Sequence, residues 1–380
     1  MKRLLANVAI SVATFLFAFL AAPSAAVGAD DSESLDLPAI SGWVMTPDGQ
    51  TLIVSTGSGG EIIYVDTVAG KVGKHVELDF QPTALAVQGD ELIAANKGAA
   101  QLRVLDLATG KEKKTIQLSG SPVKSLACHP AKGYVYAANS EDAIFAADLK
   151  AGKAWKTKGQ GAMLAIDPSD GSAVYAGTQR AMRDQLIMQR VGRQTQMRVG
   201  RTGRFATLAK FQVEGNDLKL AGANSGAVIN ASHVAVSPDG KRVAIVGGGG
   251  IESATDKRRS YDIPVYSAAD VNTMDGQIEV GAYPSNIAFH SVLSIGVAEQ
   301  SGGSSNLILF KTKSLAKIKT LQPHAERGLP GGSSILAFGG KGRKIIYGMQ
   351  SGRGGTQTTK LYLLPLELTA EQQEQLKGSP

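Results

Sequence analysis

Seven times along this 380-residue chain an apolar run, a tight turn and a second apolar run follow one another, and nothing else in the sequence restricts the fold so strongly. The copies are "WVMTPDGQTLIVST" (43–56), "ALAVQGDELIAAN" (84–96), "LACHPAKGYVYAAN" (126–139), "LAIDPSDGSAVYAGT" (164–178), "VAVSPDGKRVAIVG" (234–247), "IAFHSVLSIGVAE" (287–299) and "LAFGGKGRKIIYG" (336–348). Their turns, at Pro47, Gly89, Pro130, Pro168, Pro238, Ser291 and Gly340, are 42, 41, 38, 70, 53 and 49 residues apart. A period near 40 with four strands per unit is the spacing of a β-propeller. The 45 glycines, well above the usual ~7%, suit the many tight turns such a fold needs.

The rest of each unit is legible in the first copies. "EIIYVDTVAGKVGKHVEL" (61–78) and "QLRVLDLATGKEKKTIQL" (101–118) read as a third strand, an Asp-x-x-x-Gly-Lys turn and a fourth strand, with Asp66, Asp106 and Asp148 as turn formers in matching places. The segment "SLDLPAISGWVM" (34–45) matches a blade-to-blade junction although no blade precedes it, and the last unit stops after a third strand, "KLYLLPLEL" (360–368). Ser34 to Leu37 are therefore expected to complete blade seven, leaving no unpaired edge. The expectation is all-β: a seven-bladed propeller of four-stranded antiparallel blades over 30–368, closed by its N-terminal strand, with a polar C-terminal tail over 369–380.

The stretches "VYAANSEDAIFAADLKAGK" (135–153), "LIVSTGSGGEIIYVDTVAGK" (52–71) and "YPSNIAF" (283–289) resemble the YVTN-type repeat family, a subset of WD40-like propellers. The likeness spans nearly the whole chain after residue 30, most clearly in blades one to three. Trp-Asp dipeptides are absent, which sets the chain apart from true WD40 proteins. Members of that family include surface-layer proteins, secreted binding proteins and relatives of lactonases, so the resemblance implies a fold and leaves the activity to be argued from sites.

The first 29 residues carry Lys2 and Arg3, an apolar run from Leu4 to Leu20 and a small-residue site ending at Ala29, the parts of a cleaved secretory signal. A secreted or periplasmic location is expected. Cys128, the single cysteine, rules out internal disulfides and multi-cysteine metal sites, and reads as a small core residue.

In a four-stranded meander the second-to-third turns and the blade-to-blade crossings share one face, here termed the crossing face. The first-to-second turns lie on the opposite, turn face. Blades one to three have short second-to-third connections, whereas blades four to seven have long ones, at about 179–204, 247–262, 299–306 and 350–360. Loops that outgrow their scaffold on one face are candidates for function.

The first of these holds "RVGRQTQMRVGRTGR" (190–204). Of the formal charge of +7, Lys2 and Arg3 account for two; Arg180, Arg183, Arg190, Arg193, Arg198, Arg201 and Arg204 against Asp184 contribute +6, so the remainder sums to −1. Basicity is thus concentrated in one loop, which two repeats of "RVGR" favour as a projecting hairpin over a helix. Lys257, Arg258 and Arg259 belong to the neighbouring blade's loop, and Arg353 to another. Such a cluster draws in an anionic partner. The candidates are an extracellular or envelope protein, polysaccharide or lipid. An export signal and the lack of interleaved aromatics argue against nucleic acid.

His233 begins a first strand and His324 lies in a crossing, so both are candidates for the crossing-face mouth of the channel. No HxH or HxxxH spacing, G-x-S-x-G elbow or phosphate-loop motif is present, so no catalytic residue, metal or cofactor is assigned. The expected function is a monomeric, non-catalytic binding module; the competing reading is a lactonase-like hydrolase or lyase at the channel mouth.

Overall fold

The computed structural model describes residues 33–181, 185–191, 194–200, 204–248, 262–281, 283–301, 306–323, 333–351 and 357–377. Blade one comprises β2 (Ile40–Met45), β3 (Thr51–Thr56), β4 (Glu61–Asp66) and β5 (Lys71–Glu77), preceded in the chain by β1 (Glu33–Pro38). Blade two is β6 (Pro82–Gln88), β7 (Glu91–Asn96), β8 (Gln101–Asp106) and β9 (Glu112–Gln117); blade three is β10 (Val123–Cys128), β11 (Tyr134–Asn139), β12 (Ala143–Asp148) and β13 (Lys153–Gln160). Blade four is β14 (Met163–Ile166), β15 (Ala173–Ala181), β18 (Arg204–Glu214) and β19 (Asp217–Ile229), with β16 (Gln185–Val191) and β17 (Gln194–Gly200) inserted between its second and third strands. Blade five is β20 (Ala231–Val236), β21 (Arg242–Gly247), β22 (Asp262–Ser267) and β23 (Met274–Glu279). Blade six is β24 (Pro284–Phe289), β25 (Ile295–Gln300), β26 (Asn306–Lys311) and β27 (Lys317–Leu321). Blade seven is β28 (Ser333–Gly339), β29 (Lys344–Ser351) and β30 (Thr358–Pro365), completed by β1.

The expected ring closure is present. β1 runs antiparallel to β30 from Glu33 opposite Leu363 to Pro38 opposite Thr358, which supplies blade seven with its missing fourth strand. Leu37 is buried in the cluster that joins blades seven and one, with Leu52, Val54, Ile335 and Ile346.

Seven apolar clusters hold the ring together, and each lies between two neighbouring blades. Second and third strands therefore have a neighbour on both faces. That is why β3, β7 and β11 are unbroken buried runs, whereas the outer strand β5 alternates exposed and half-buried positions. Cys128 is half-buried and packs against the edge of the cluster between blades two and three, where burial pushes its thiol up to about 12.

Turn chemistry explains the repeat's punctuation. Asp66 accepts from the N–H groups of Val68 and Ala69, Asp106 from Thr109, and Asp148 from Ala151, so the three aspartates are the turn formers they were expected to be. In the "PDG" turns Gly49 and Gly240 adopt φ of 65° and 66°, a conformation that penalises any residue with a Cβ. Residues 370–377 of the C-terminal tail form a helix, α1 (Ala370–Lys377), whose Leu376 packs against the cluster of blades six and seven.

Candidate functional site

The innermost strands line a central channel, and at its crossing-face mouth the blades repeat one device. In six of the seven first strands the pairing with the second strand slips by one residue near its start. The residues skipped are Ser41, Thr83, Lys124, Ser232, Ser285 and Ser334. A bulge re-aims the extra side chain. Ser41 Oγ donates to the Pro82 carbonyl at 2.6 Å, Thr83 Oγ1 to Val123 at 3.0 Å and Ser232 Oγ to Ser285 at 3.0 Å, each bridging to a neighbouring first strand. Ser285 turns instead to the fully buried Glu299, donating to its carboxylate at 2.5 Å, while Tyr347 of blade seven donates at 3.1 Å. These hydroxyls lock adjacent blades at the rim of the channel.

Lys124 is the exception. It takes the bulge position in blade three, is exposed, and among the described residues its amine makes no hydrogen bond or ion pair. It borders two cavities at this mouth. One, of about 530 Å³, is shared with Ser41, Trp43, Thr83, His233 and Asn286; the other, of about 670 Å³, is shared with Asp142, Met163 and His233. Burial raises the Asp142 carboxyl, an effect that the Lys124 charge partly opposes. Among the described residues the mouth therefore offers the Lys124 amine, the Asp142 carboxyl and the hydroxyls of Ser41, Thr83, Ser232 and Ser285, whose protons are already engaged.

His233 sits deeper. Its imidazole borders both of these cavities and a third of about 400 Å³ that opens on the turn face, so it stands where the two ends of the channel meet. Protein surrounds the ring while part of its surface stays open to the lumen, and desolvation pushes its pKa down to about 4. No hydrogen bond or ion pair holds it among the described residues. The other described histidines have structural tasks. His129 Nδ1 accepts from Ala131 and Lys132 N–H, and His290 Nδ1 from Val292 and Leu293 while its Nε2 donates to the Gly342 carbonyl at 2.9 Å. Both occupy the turn position that Thr46 and Ser237 fill in other blades. His75 pairs with Glu61 across β4 and β5.

A pH dependence follows. Burial holds His129, His233 and His290 below the ordinary imidazole value, whereas in the unfolded chain they take up protons near 6.5. The unfolded state thus binds more protons as pH falls below 6.5, so this stability is complete above that value and lost on the way down to the folded pKa values. Melting temperature is expected to fall between pH 6.5 and 4, with a slope of up to about 1.4 kcal/mol per pH unit for each histidine. His233→Gln should flatten the profile measured by circular dichroism; an unchanged slope would show that His233 is not held neutral by the fold.

The sequence-selected arginines fall on blade four's enlarged second-to-third connection. β15 and β18 continue past the last pair with β14, from Thr178 opposite Thr207 to Ala181 opposite Arg204, with Arg180 opposite Phe205. β16 and β17 then form the expected hairpin, from Gln185 opposite Gly200 to Val191 opposite Gln194. Arg190, opposite Thr195, and Arg198, opposite Ile187, occupy register positions of opposite parity. Arg183, Arg193, Arg201, Lys257, Arg258, Arg259, His324 and Arg353 lie outside the described residues.

Sequence reasoning missed Lys124, the bulge hydroxyls and the turn-face cavity. The hydroxyls do leave a signal, a Ser or Thr at one point of "ISGW", "PTAL", "ASHV" and "PSNI", visible once the copies are aligned on their junctions. Among the described residues no group of three His, Cys, Asp or Glu is placed to hold a metal ion, so a metal-dependent hydrolase or lyase draws no support from them. Compared with protein-family models and with curated proteins, the chain matches none. The fold by itself identifies a seven-bladed β-propeller built from sequence repeats.

Proposed function

We propose that this chain is an exported, non-catalytic binding module of the YVTN type that holds an anionic extracellular or envelope partner on its crossing face. The observation that carries the reading is the β-finger of blade four, where a connection that is short in blades one to three becomes an extended ladder and a hairpin rich in arginine. Lys124 adds to it: an uncommitted amine on blade three, bordering a cavity with the first residues of blade four. Arginine's planar fork suits carboxylate, phosphate and sulfate oxygens alike. A positive field on one face also speeds encounter with such a partner. Nothing in this arrangement requires a cofactor.

Hydroxyl-radical footprinting with heparin as the polyanion tests the face. Protection is expected on the second-to-third connections of blades four to seven and at the channel mouth around Lys124. Protection confined to the Pro47 and Pro238 turns would overturn the proposal, because those turns lie on the opposite face.

A further inference from the structure

The turn-face end of the channel is chemically unlike the crossing-face end. Its cavity, about 400 Å³, lies between blades six, seven and one and is walled by Trp43, Met45, Phe289 and Phe338, with Leu376 of α1 at the rim. All four wall side chains are only partly buried although they belong to innermost strands; the cavity they line opens toward the turn face between polar residues of the turns, among them Thr46, Asp48 and Ser291. Apolar surface left open inside a cavity is stabilised by an apolar occupant. At the inner end stands His233, the deeply placed imidazole that no described residue satisfies. Part of the ring is open to the lumen and no described side chain occupies it, so a ligand entering the chamber can hydrogen-bond it.

We propose that this chamber binds a small, neutral aromatic molecule carrying one hydrogen-bonding group, with its ring against Trp43, Met45, Phe289 and Phe338 and its polar group on His233. A neutral imidazole has one donor and one acceptor nitrogen, so it serves a hydroxyl or an amide equally. No side chain with a positive charge stands among the wall residues; Lys341 is at the turn end of the cavity, with Asp48 also there. On this side of His233 an anionic ligand would therefore find no counter-charge among the wall residues, Lys124 bordering only the cavities of the other end, and would have to give up its hydration. A volume of 400 Å³ is at the lower end of small-ligand pockets. This site is independent of the basic finger: it opens on the other face and selects against charge.

Trp43 makes the test direct, since the chain's only other tryptophan is Trp155, in the outer strand of blade three. In a Trp155→Phe background Trp43 is the single emitter. Titration with 4-methylphenol at pH 7 is expected to change that emission saturably, with toluene binding about five- to ten-fold more weakly, the factor for one well-made hydrogen bond, and 4-methylbenzoate also more weakly because its charge is desolvated without a counter-charge. Because Trp43 borders the crossing-face cavity too, Phe289→Ala, at a residue that lines only the turn-face chamber, assigns the response: weakened binding in that variant is expected, and undiminished binding would overturn the proposal. His233→Ala should erase the preference for 4-methylphenol over toluene while both still bind. Absence of a saturable response to 4-methylphenol, or an undiminished preference in the His233→Ala protein, would overturn the proposal. Should that variant fail to fold, contacts between the 4-methylphenol ring protons and the Trp43, His233 and Phe289 rings, read by nuclear Overhauser effects on the native protein, decide the same question, Phe289 being the one of the three that lines only this chamber; their absence sinks it.

Discussion

Removal of residues 33–38 is expected to lower the melting temperature by on the order of 10 °C. Three losses coincide. The six-residue ladder of β1 on β30 disappears, Leu37 leaves the cluster between blades seven and one, and β30 becomes an unpaired edge open to other chains. Leu37→Ala isolates the packing part, which for a buried leucine is about 2–5 kcal/mol. The Glu33–Lys344 pair at 2.9 Å serves as the control: Glu33 is more than half exposed, and Glu33→Gln should change stability by less than about 1 kcal/mol. Differential scanning calorimetry on the three proteins gives the ranking. A deletion variant that melts with the native chain would mean that the ring does not depend on this strand for closure.

Replacing Arg190, Arg193, Arg198 and Arg201 with serine is the second large effect, on binding and not on folding. Each exposed ion pair contributes about 0.2–1 kcal/mol. Four together amount to a loss of roughly 10- to 100-fold in affinity for heparin at low salt. Native binding should itself weaken as salt rises to physiological strength, where charges are screened beyond about 8 Å. The melting temperature should stay nearly constant, because surface substitutions away from caps and cores usually fall within about 0.5 kcal/mol. Arg190 and Arg198 differ in register parity, so the single variants Arg190→Ser and Arg198→Ser separate a partner that meets one side of the hairpin from one that wraps it. Equal heparin affinity for the native and quadruple-variant proteins at both salt concentrations would reduce the arginine loop to a solvated decoration.

The sequence by itself determined the architecture, because a propeller is built from local hairpins repeated at a fixed interval. Each blade's strands, its Asp66-type turns and even the orphan "SLDLP" that closes the ring are pairings between chain neighbours or recurrences of one pattern, and both can be read along a line. The hairpin of the arginine loop was legible as a hairpin but not in its register: Val191 pairs with Gln194, so the turn falls inside the first "RVGR" and the second copy begins near the far end of β17. What only the tertiary structure decided are the features made where seven separate units converge. Lys124 carries no sequence mark distinguishing it from the other lysines, yet the bulge in β10 brings it to the rim of a channel beside residues from other blades. Trp43, Phe289 and Phe338 look like ordinary core positions of blades one, six and seven until closure of the ring brings them around one cavity, some 50 to 300 residues apart in the chain. His233 was singled out as a channel-mouth candidate, but its depth, its lack of a partner and its depressed pKa all follow from desolvation by neighbouring blades. Periodicity encodes what each blade does to the next; the channel belongs to all the blades at once, and its chemistry exists only after they meet.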